Sequence, residues 1–308
     1  MPAAITATQL RKSYVNGKET VEALKPVTFS IGKGELFGLI GPDGAGKTTL
    51  MRLLTTLILA DEGTATVDGF DVVNDYKEIR QRVGYMPGKF SLYQDLSVRE
   101  NLDFFATIFK TTVETNYHLI KDIYDQLAPF ADRPAGKLSG GMKQKLALCC
   151  ALIHKPSVLF LDEPTTGVDA VSRKEFWEML GRLKQQGITI LVSTPYMDEA
   201  SRCDRVALMQ DGMFMEVDTP ANITAKYRQP LFAVKGEDMY DLLHQLKARE
   251  DVLLAYPFGE YHHVVMKQEK VTLEEARSLL DLKPGHEMLS VPADIEDCFI
   301  YSMTQHNA

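Results

Sequence analysis

No stretch of the chain approaches the roughly 20 consecutive apolar residues that a membrane-spanning helix needs. The first residues, Met1-Pro2-Ala3-Ala4-Ile5-Thr6, lack the basic start and long apolar core of a secretion signal. Cysteine is scarce, four in 308 residues, as expected in a reducing compartment. Cys149 and Cys150 are neighbours on an apolar helical stretch, about 100° apart around its axis, so they cannot share a metal and read as core. Basic residues are outnumbered, 34 Lys and Arg against 42 Asp and Glu, for a net charge of −8. That balance argues against a general nucleic-acid binder, which needs a basic face. Internal repeats and low-complexity linkers are missing too. A cytosolic protein with no nucleic-acid partner is the expectation.

What remains is ordinary globular composition, 45% hydrophobic and 25% charged, in a length that suits one large domain and a smaller one. The chain is organised around Glu35-Leu36-Phe37-Gly38-Leu39-Ile40 running into Gly41-Pro42-Asp43-Gly44-Ala45-Gly46-Lys47-Thr48-Thr49. An apolar run ends in a glycine-rich turn, and Leu50-Met51-Arg52-Leu53-Leu54 continues at helical spacing. The turn spells G-x-x-x-x-G-K-[ST], the phosphate-binding loop. Such a pattern arises by chance in about one chain in a hundred of this length. Glycines let backbone amides close around an anion, and the following helix adds the positive end of its dipole. Lys47 brings charge to the β- and γ-phosphates, and the Thr48 hydroxyl can ligate Mg²⁺.

A second site feature closes a continuous apolar run, Val158-Leu159-Phe160-Leu161, with Asp162-Glu163-Pro164. Parallel strands read as unbroken apolar runs, and ligands bind at their carboxyl ends. Asp162 is the candidate Mg²⁺ carboxylate and Glu163 the general base for an attacking water.

The rest of the chain falls into short strands from Ile5 to Ile31, with a hairpin turn at Asn16-Gly17. Turns follow at Asp61-Glu62-Gly63 and Asp68-Gly69 around a strand at Thr64-Ala65-Thr66-Val67. Tyr76 to Arg82 is a helical turn and Val83 to Met86 a strand. From Ser97 to about Ala131, Leu102, Phe104, Phe105, Ile108 and Phe109 recur at helical spacing, a stripe that serves as core or partner surface. Leu138-Ser139-Gly140-Gly141-Met142-Lys143-Gln144 opens an apolar helix, and another runs from Ser172 to Gln186. Ile188 to Val192 is a second buried parallel strand. Arg205 to Met209 and Met213 to Glu216 pair around Asp211-Gly212. Beyond Pro230 the order strand, helix, two strands, helix and a last element through Ile300 predicts a small α+β domain.

Together these segments resemble the ATP-binding subunit of an ABC transporter, from Ile5 to about Ala225. Leu138-Ser139-Gly140-Gly141-Met142-Lys143-Gln144 matches that family's signature motif. The resemblance implies an α/β P-loop NTPase fold of ABC type, with an antiparallel β subdomain and a helical signature subdomain (about residues 89–137). It implies an ATP-binding domain over residues 1–225 and an accessory domain over 226–308, the latter similar to the appended segment of exporter ATPases. It further implies that Ser139, Gly140, Gly141 and Gln144 meet ATP held by a second ABC ATPase subunit in a head-to-tail dimer. Asp169 would contact that subunit, Tyr14 would stack on adenine, and an integral membrane permease would be the cytoplasmic protein's partner. ATP and Mg²⁺ would be bound.

Two positions depart from the family pattern. Gly88 stands where a Gln is expected, and Pro195 where a His contacts the γ-phosphate. Locally Pro195 suits a helix start, with Thr194 as N-cap and acids in the first turn. A slow site within a heterodimer is therefore expected, with a nucleotide-dependent clamp as the alternative. A soluble ABC protein acting on ribosomes or DNA is a third reading, disfavoured by the acidic charge.

Overall fold

The computed structural model describes residues 3–17, 19–89 and 91–306. They fold as two compact units that divide between Pro220 and Ala221. In the first, β1 (Ala3–Asn16) and β2 (Glu19–Gly32) form an antiparallel ribbon. Each strand has 14 residues, longer than the short strands expected, because a register shift between Ala7 and Leu10 lets β1 bend without losing its partner. Asn16 pairs with Glu19, so the strands run on through Asn16 and the connection begins at Gly17, one residue later than the expected turn. β3 (Leu36–Ile40) is buried at every position and leads through the glycine-rich loop into α1 (Lys47–Leu54). β4 (Glu62–Val67) takes in Glu62 and Gly63, expected in a turn, because Arg11 on β1 pairs with Glu62. It returns the chain to the first sheet, which β5 (Phe70–Asp71) completes in the order β2-β1-β4-β5.

α2 (Tyr76–Arg82) and β6 (Val83–Met86) precede a helical segment. There α3 (Val98–Ile108) starts in a capping box: Ser97 Oγ accepts from Glu100 N, and Glu100 Oε2 from Ser97 N. Asn101 is fully buried on α3. Its Nδ2 donates to the carbonyls of Tyr93, Leu96 and Ser97, and its Oδ1 accepts from Tyr93 N, all within 2.9–3.1 Å. One side chain thus gives the Tyr93 N–H its acceptor and adds a donor to three carbonyls that backbone N–H groups also reach, tying the 93–97 approach to α3. α4 (Tyr117–Leu127) and α5 (Gly140–Leu152) follow; Cys149 and Cys150 lie in the core as expected.

β7 (Val158–Asp162) comes next, then α6 (Ala170–Gln185), which starts two residues before the expected Ser172 because Asp169 Oδ1 caps Val171 N and Ser172 N. β8 (Thr189–Thr194) extends past Val192, since Ser193 pairs with Asp162 and Thr194 with Ile40. That pairing keeps Thr194 in the sheet, so Pro195 does not open a helix; a 3-10 turn begins only at Met197. β9 (Arg205–Gln210) and β10 (Met213–Asp218) complete a six-stranded sheet, order β10-β9-β3-β8-β7-β6, in which β10 alone is antiparallel. A single buried cluster joins Ile5, Leu10 and Ile31 of the first sheet to Phe37, Phe160 and Leu191 of the second and takes in Leu50, Met51 and Leu54 of α1. The phosphate loop is therefore anchored on both sides.

After α7 (Pro220–Ala225), the second unit runs β11 (Leu231–Lys235), α8 (Met239–Lys247), β12 (Val252–Phe258), β13 (Tyr261–Met266), α9 (Leu273–Leu279) and β14 (Glu287–Ser290). Its antiparallel order β12-β13-β11-β14 makes it a ferredoxin-like βαββαβ unit. Phe232, Val234, Val264 and Met266 pack with Leu242, Leu246, Ala276 and Leu280 of the helical segments. α10 (Ile295–His306) carries the buried Asp297, which accepts from Tyr256 Oη and pairs with His263 Nδ1, both at 2.6 Å.

Asn101→Ala leaves the Tyr93 N–H without its acceptor and takes a second donor from the Tyr93, Leu96 and Ser97 carbonyls. It should lower the unfolding free energy by roughly 2–4 kcal/mol in a denaturant titration. His154, just past α5, stacks on Phe109 (ring centroids 3.7 Å apart) and binds the Val83 carbonyl through Nε2 at 3.0 Å. Burial pushes its pKa below the ordinary 6.5. The neutral ring is the folded form, so its contribution is complete above pH 6.5 and is lost as pH falls through the depressed value. Thermal melts between pH 7 and pH 5 should fall more steeply for the natural chain than for His154→Gln; parallel slopes would contradict this.

Candidate functional site

β3 ends at Ile40, and the loop delivers the chain to α1 through Gly46, whose backbone lies at φ +102°. A Cβ there would stand 2.4 Å from the Ala23 carbonyl oxygen, so only glycine brings α1 this close to β2. The helix has no side-chain cap, and the N–H groups of its first turn have no intrahelical acceptor. Lys47 is 3% exposed. Its Nζ donates to the carbonyls of Gly41 (2.7 Å) and Pro42 (2.9 Å) and lies 3.2 Å from Glu163 Oε1. Residues 43–49, Ala23 and Glu163 line a cleft of about 480 Å³. Gly41 and Pro42 thus act through the carbonyls that aim Lys47, while Asp43, Gly44, Ala45, Gly46, Thr48 and Thr49 face the cleft.

The acidic pair reaches the cleft from the end of β7. Asp162 is buried, and its Oδ1 accepts from Thr48 Oγ1 (3.1 Å) and Ser193 Oγ (2.8 Å). Ser193 Oγ in turn accepts from Glu163 N at 3.0 Å, which sets the direction of the second acid. Glu163 sits at φ +50°, a left-handed conformation unusual for a residue with a side chain. On β6 the Tyr85 phenol is pushed up to about 12, chiefly by burial and then by the negative charge of Asp162. A hydroxyl and a carboxylate oxygen at this separation are the hard donors that Mg²⁺ prefers, so Thr48 and Asp162 fit the metal. Groups of three or more His, Cys, Asp or Glu able to hold a metal are absent among the described residues.

Of the two departures from the family pattern, Gly88 borders this pair and Pro195 borders the phosphate loop. A Cβ at Gly88 would lie 3.1 Å from the Asp162 carbonyl oxygen and 3.9 Å from its carboxyl carbon, so position 88 adjoins Asp162. Pro195 follows Thr194, whose carbonyl accepts from Gly41 N at 3.3 Å. It therefore stands at the rim of the phosphate loop, where it offers no hydrogen-bond donor.

Other sequence candidates lie apart from the cleft lining. Ser139 is exposed at the start of α5, and its Oγ accepts from Met142 N at 3.3 Å. Gly140 and the half-buried Gln144 follow on the helix. At Gly141 a Cβ would meet Ser172 Oγ at 2.8 Å, so glycine here allows α5 and α6 to approach closely. Asp169 is exposed, and its carboxyl is held below the usual range by the Ser172 and Val171 N–H groups that it caps. Tyr14 is 37% exposed on β1 with the Lys12 ammonium 5.9 Å over its ring, and it does not line the cleft. Ala23 and Ser193 do contribute to the site, and neither is marked by a motif. Ser193 could have been sought as a hydroxyl at the carboxyl end of the strand beside β7.

The ABC transporter family model matches residues 24–166. A probable multidrug ABC transporter ATP-binding protein of Escherichia coli, YbhF, is 45% identical over 72% of this chain. The match spans 38% of that longer protein. A Nod factor export ATP-binding protein I of Burkholderia lata is 36% identical over 89% of this chain and 90% of its own length. Among solved structures, the dimer of MJ0796, a bacterial ABC transporter cassette, superposes with a TM-score of 0.63 at 26% identity, covering 70% of this chain and 98% of the cassette. With a phosphate loop facing an acidic strand end, and relatives matched over nine-tenths of their length, the chain belongs to the family of ABC transporter ATP-binding proteins.

Proposed function

We propose that the chain binds MgATP and, in a head-to-tail pair with a second ABC ATPase subunit, powers export through a membrane permease from the cytoplasmic face. The observation that carries this is the separation of two phosphate-binding elements. Lys47, Thr48 and Glu163 line one cleft, with Asp162 hydrogen-bonded to Thr48 behind it, while Ser139 and Gly140 sit exposed at another helix start and do not line it. A signature turned to solvent is explained by a neighbour's nucleotide. Relatives named for multidrug transport and Nod factor export support the direction of transport. A largely apolar groove of about 330 Å³, lined by Leu57, Met86, Leu92, Phe105 and Phe109 among others, supports a permease partner. Exposed Tyr93, Phe104 and Ile108 belong to the same helical segment. Among the described residues no helix is long and apolar enough to cross a membrane, so the permease would be a separate chain or a separate segment.

Lys47 and the α1 amides would hold the β- and γ-phosphates in the cleft and Thr48 with Asp162 the Mg²⁺, while Tyr14, outside the cleft lining, would stack on the adenine. Mg²⁺ supplies charge neutralisation to the transferring phosphoryl group. Lys47 now balances its charge against Glu163 and two carbonyls; an arriving phosphate takes that place and frees the carboxylate for water. Gly88 and Pro195 leave that water and the γ-phosphate with two fewer side-chain contacts, so the chain's own site is slow and a complete partner site carries most of the turnover. The same two residues favour a second reading, a nucleotide-dependent clamp with negligible hydrolysis. Turnover that stays negligible with the partner ATPase present would favour the clamp.

Lys47→Ala removes a charge-assisted contact to phosphate and should weaken MgATP binding by about 10- to 100-fold in a calorimeter; unaltered affinity would sink the reading. The purified natural chain should bind MgATP with little turnover. Each missing transition-state contact typically costs about 10²–10³ in rate. Gly88→Gln combined with Pro195→His should then raise turnover by at least about tenfold, provided the Asp162 carbonyl yields a few tenths of an ångström to the new Cβ. Fast turnover in the natural chain, abolished by Glu163→Gln, would refute the slow-site explanation.

A further inference from the structure

Glu199 lies outside the nucleotide cleft, in the 3-10 turn after β8, yet it is only 3% exposed. Its carboxylate gathers three segments of the chain. Thr165 Oγ1 donates to it at 3.0 and 3.2 Å, and Thr194 Oγ1 donates to Oε2 at 2.5 Å. Arg173 on α6 brings Nε to 3.9 Å, while the same guanidinium lies 3.7 Å from Asp198 and over the Tyr196 ring. A carboxylate withdrawn from water is tolerated only where donors replace the lost solvent. Two threonine hydroxyls do so here, and each belongs to a segment with a role at the site.

Thr194 is the last residue of β8, and its carbonyl receives Gly41 N of the phosphate loop. Thr165 sits two residues after Glu163, in the loop that ends at Asp169. Within that loop Thr166 N donates to the Glu163 carbonyl and Val168 N to the Thr165 carbonyl, both at 3.2 Å. These bonds shape the loop but do not fix it to the sheet. Glu163 also holds φ +50°, a conformation that persists only where its surroundings impose it. Ser193 secures one end of the loop through Glu163 N. The Thr165–Glu199 contact secures the middle.

We propose that Glu199 is a positioning residue that clamps the loop carrying Glu163 and Asp169 to the end of β8, through Thr165 and Thr194. It thereby holds the water-activating acid and the subunit-contacting turn in one register with the phosphate loop. The consequence for the subunit contact rests on the head-to-tail reading above; the clamp itself does not.

The test compares Thr165→Val and Glu199→Ala with the conservative Thr165→Ser and Glu199→Gln in the full chain. Amide exchange at Thr166 and Val168, read by NMR, should accelerate at least about tenfold in the first pair while β3 and α1 amides stay unchanged. MgATP affinity should stay within about twofold, and MgATP-driven association should weaken at least about tenfold. The Ser and Gln variants should restore both. Should Glu199→Ala fail to fold, Thr165→Val, which keeps the side-chain shape, carries the same readings. Natural exchange rates at Thr166 and Val168 in Thr165→Val would overturn the clamp, as would a uniform acceleration across the unit. If the natural chain associates with neither itself nor a partner ATPase in MgATP, the head-to-tail reading fails, and the exchange rates still decide the clamp.

Discussion

A carboxylate buried at the end of a parallel strand is stable only when donors surround it. Asp162 receives hydroxyls from two different elements, Thr48 on α1 and Ser193 on β8. That convergence joins the phosphate loop to the acidic strand end, because Thr48 cannot reach Asp162 unless Gly46 has brought α1 against the sheet. Ser193 adds a second consequence. The hydroxyl that donates to Asp162 also accepts from the Glu163 amide, so one side chain directs both acids. The site is thus assembled by hydrogen bonds between strand ends, not by any loop acting alone.

Much of this was legible in the chain. The glycine-rich loop and Asp162-Glu163 carry their chemistry in residue type and spacing, and the continuous apolar runs identify β7 and β8 as buried parallel strands. Less legible were features that depend on which strand lies beside which. Thr194 has the composition of a helix cap, and Pro195 that of a first helical residue, but pairing with Ile40 keeps Thr194 in the sheet. Local propensity lost to the ladder. Asp169 shows the reverse: a short-range cap at Val171 and Ser172 that starts α6 before its apolar periodicity begins. Ser193 and Ala23 belong to the site only because β8 and β2 pass beside it. The last element, expected through Ile300, has no legible type at β14, because a four-residue strand with only Met288 buried leaves almost no alternation to read.

The second unit illustrates the same rule at larger scale. Its helices and hairpin are visible as periodic segments, yet the order β12-β13-β11-β14 arises from non-local pairing of β11 with β13 and β14. Asp297 on α10 meets Tyr256 and His263 from neighbouring strands. No spacing in the sequence announces that contact.

Family membership and catalytic competence are separable in this fold for a structural reason. Gly46, Asp162 and Ser193 take part in contacts that hold sheets and helices together, so a change at any of them disturbs the framework. Gly88 and Pro195 lie just beyond the ends of β6 and β8, outside the hydrogen-bonded ladders. A glycine or proline there costs the fold little, since no strand pairing depends on its side chain. Yet position 88 adjoins Asp162, and position 195 follows the carbonyl that receives the phosphate-loop amide. The residues that the architecture constrains least therefore adjoin the groups whose charge must be balanced during phosphoryl transfer. A chain can therefore keep the whole cassette intact with no side-chain donor at either position, because neither position takes part in a strand ladder.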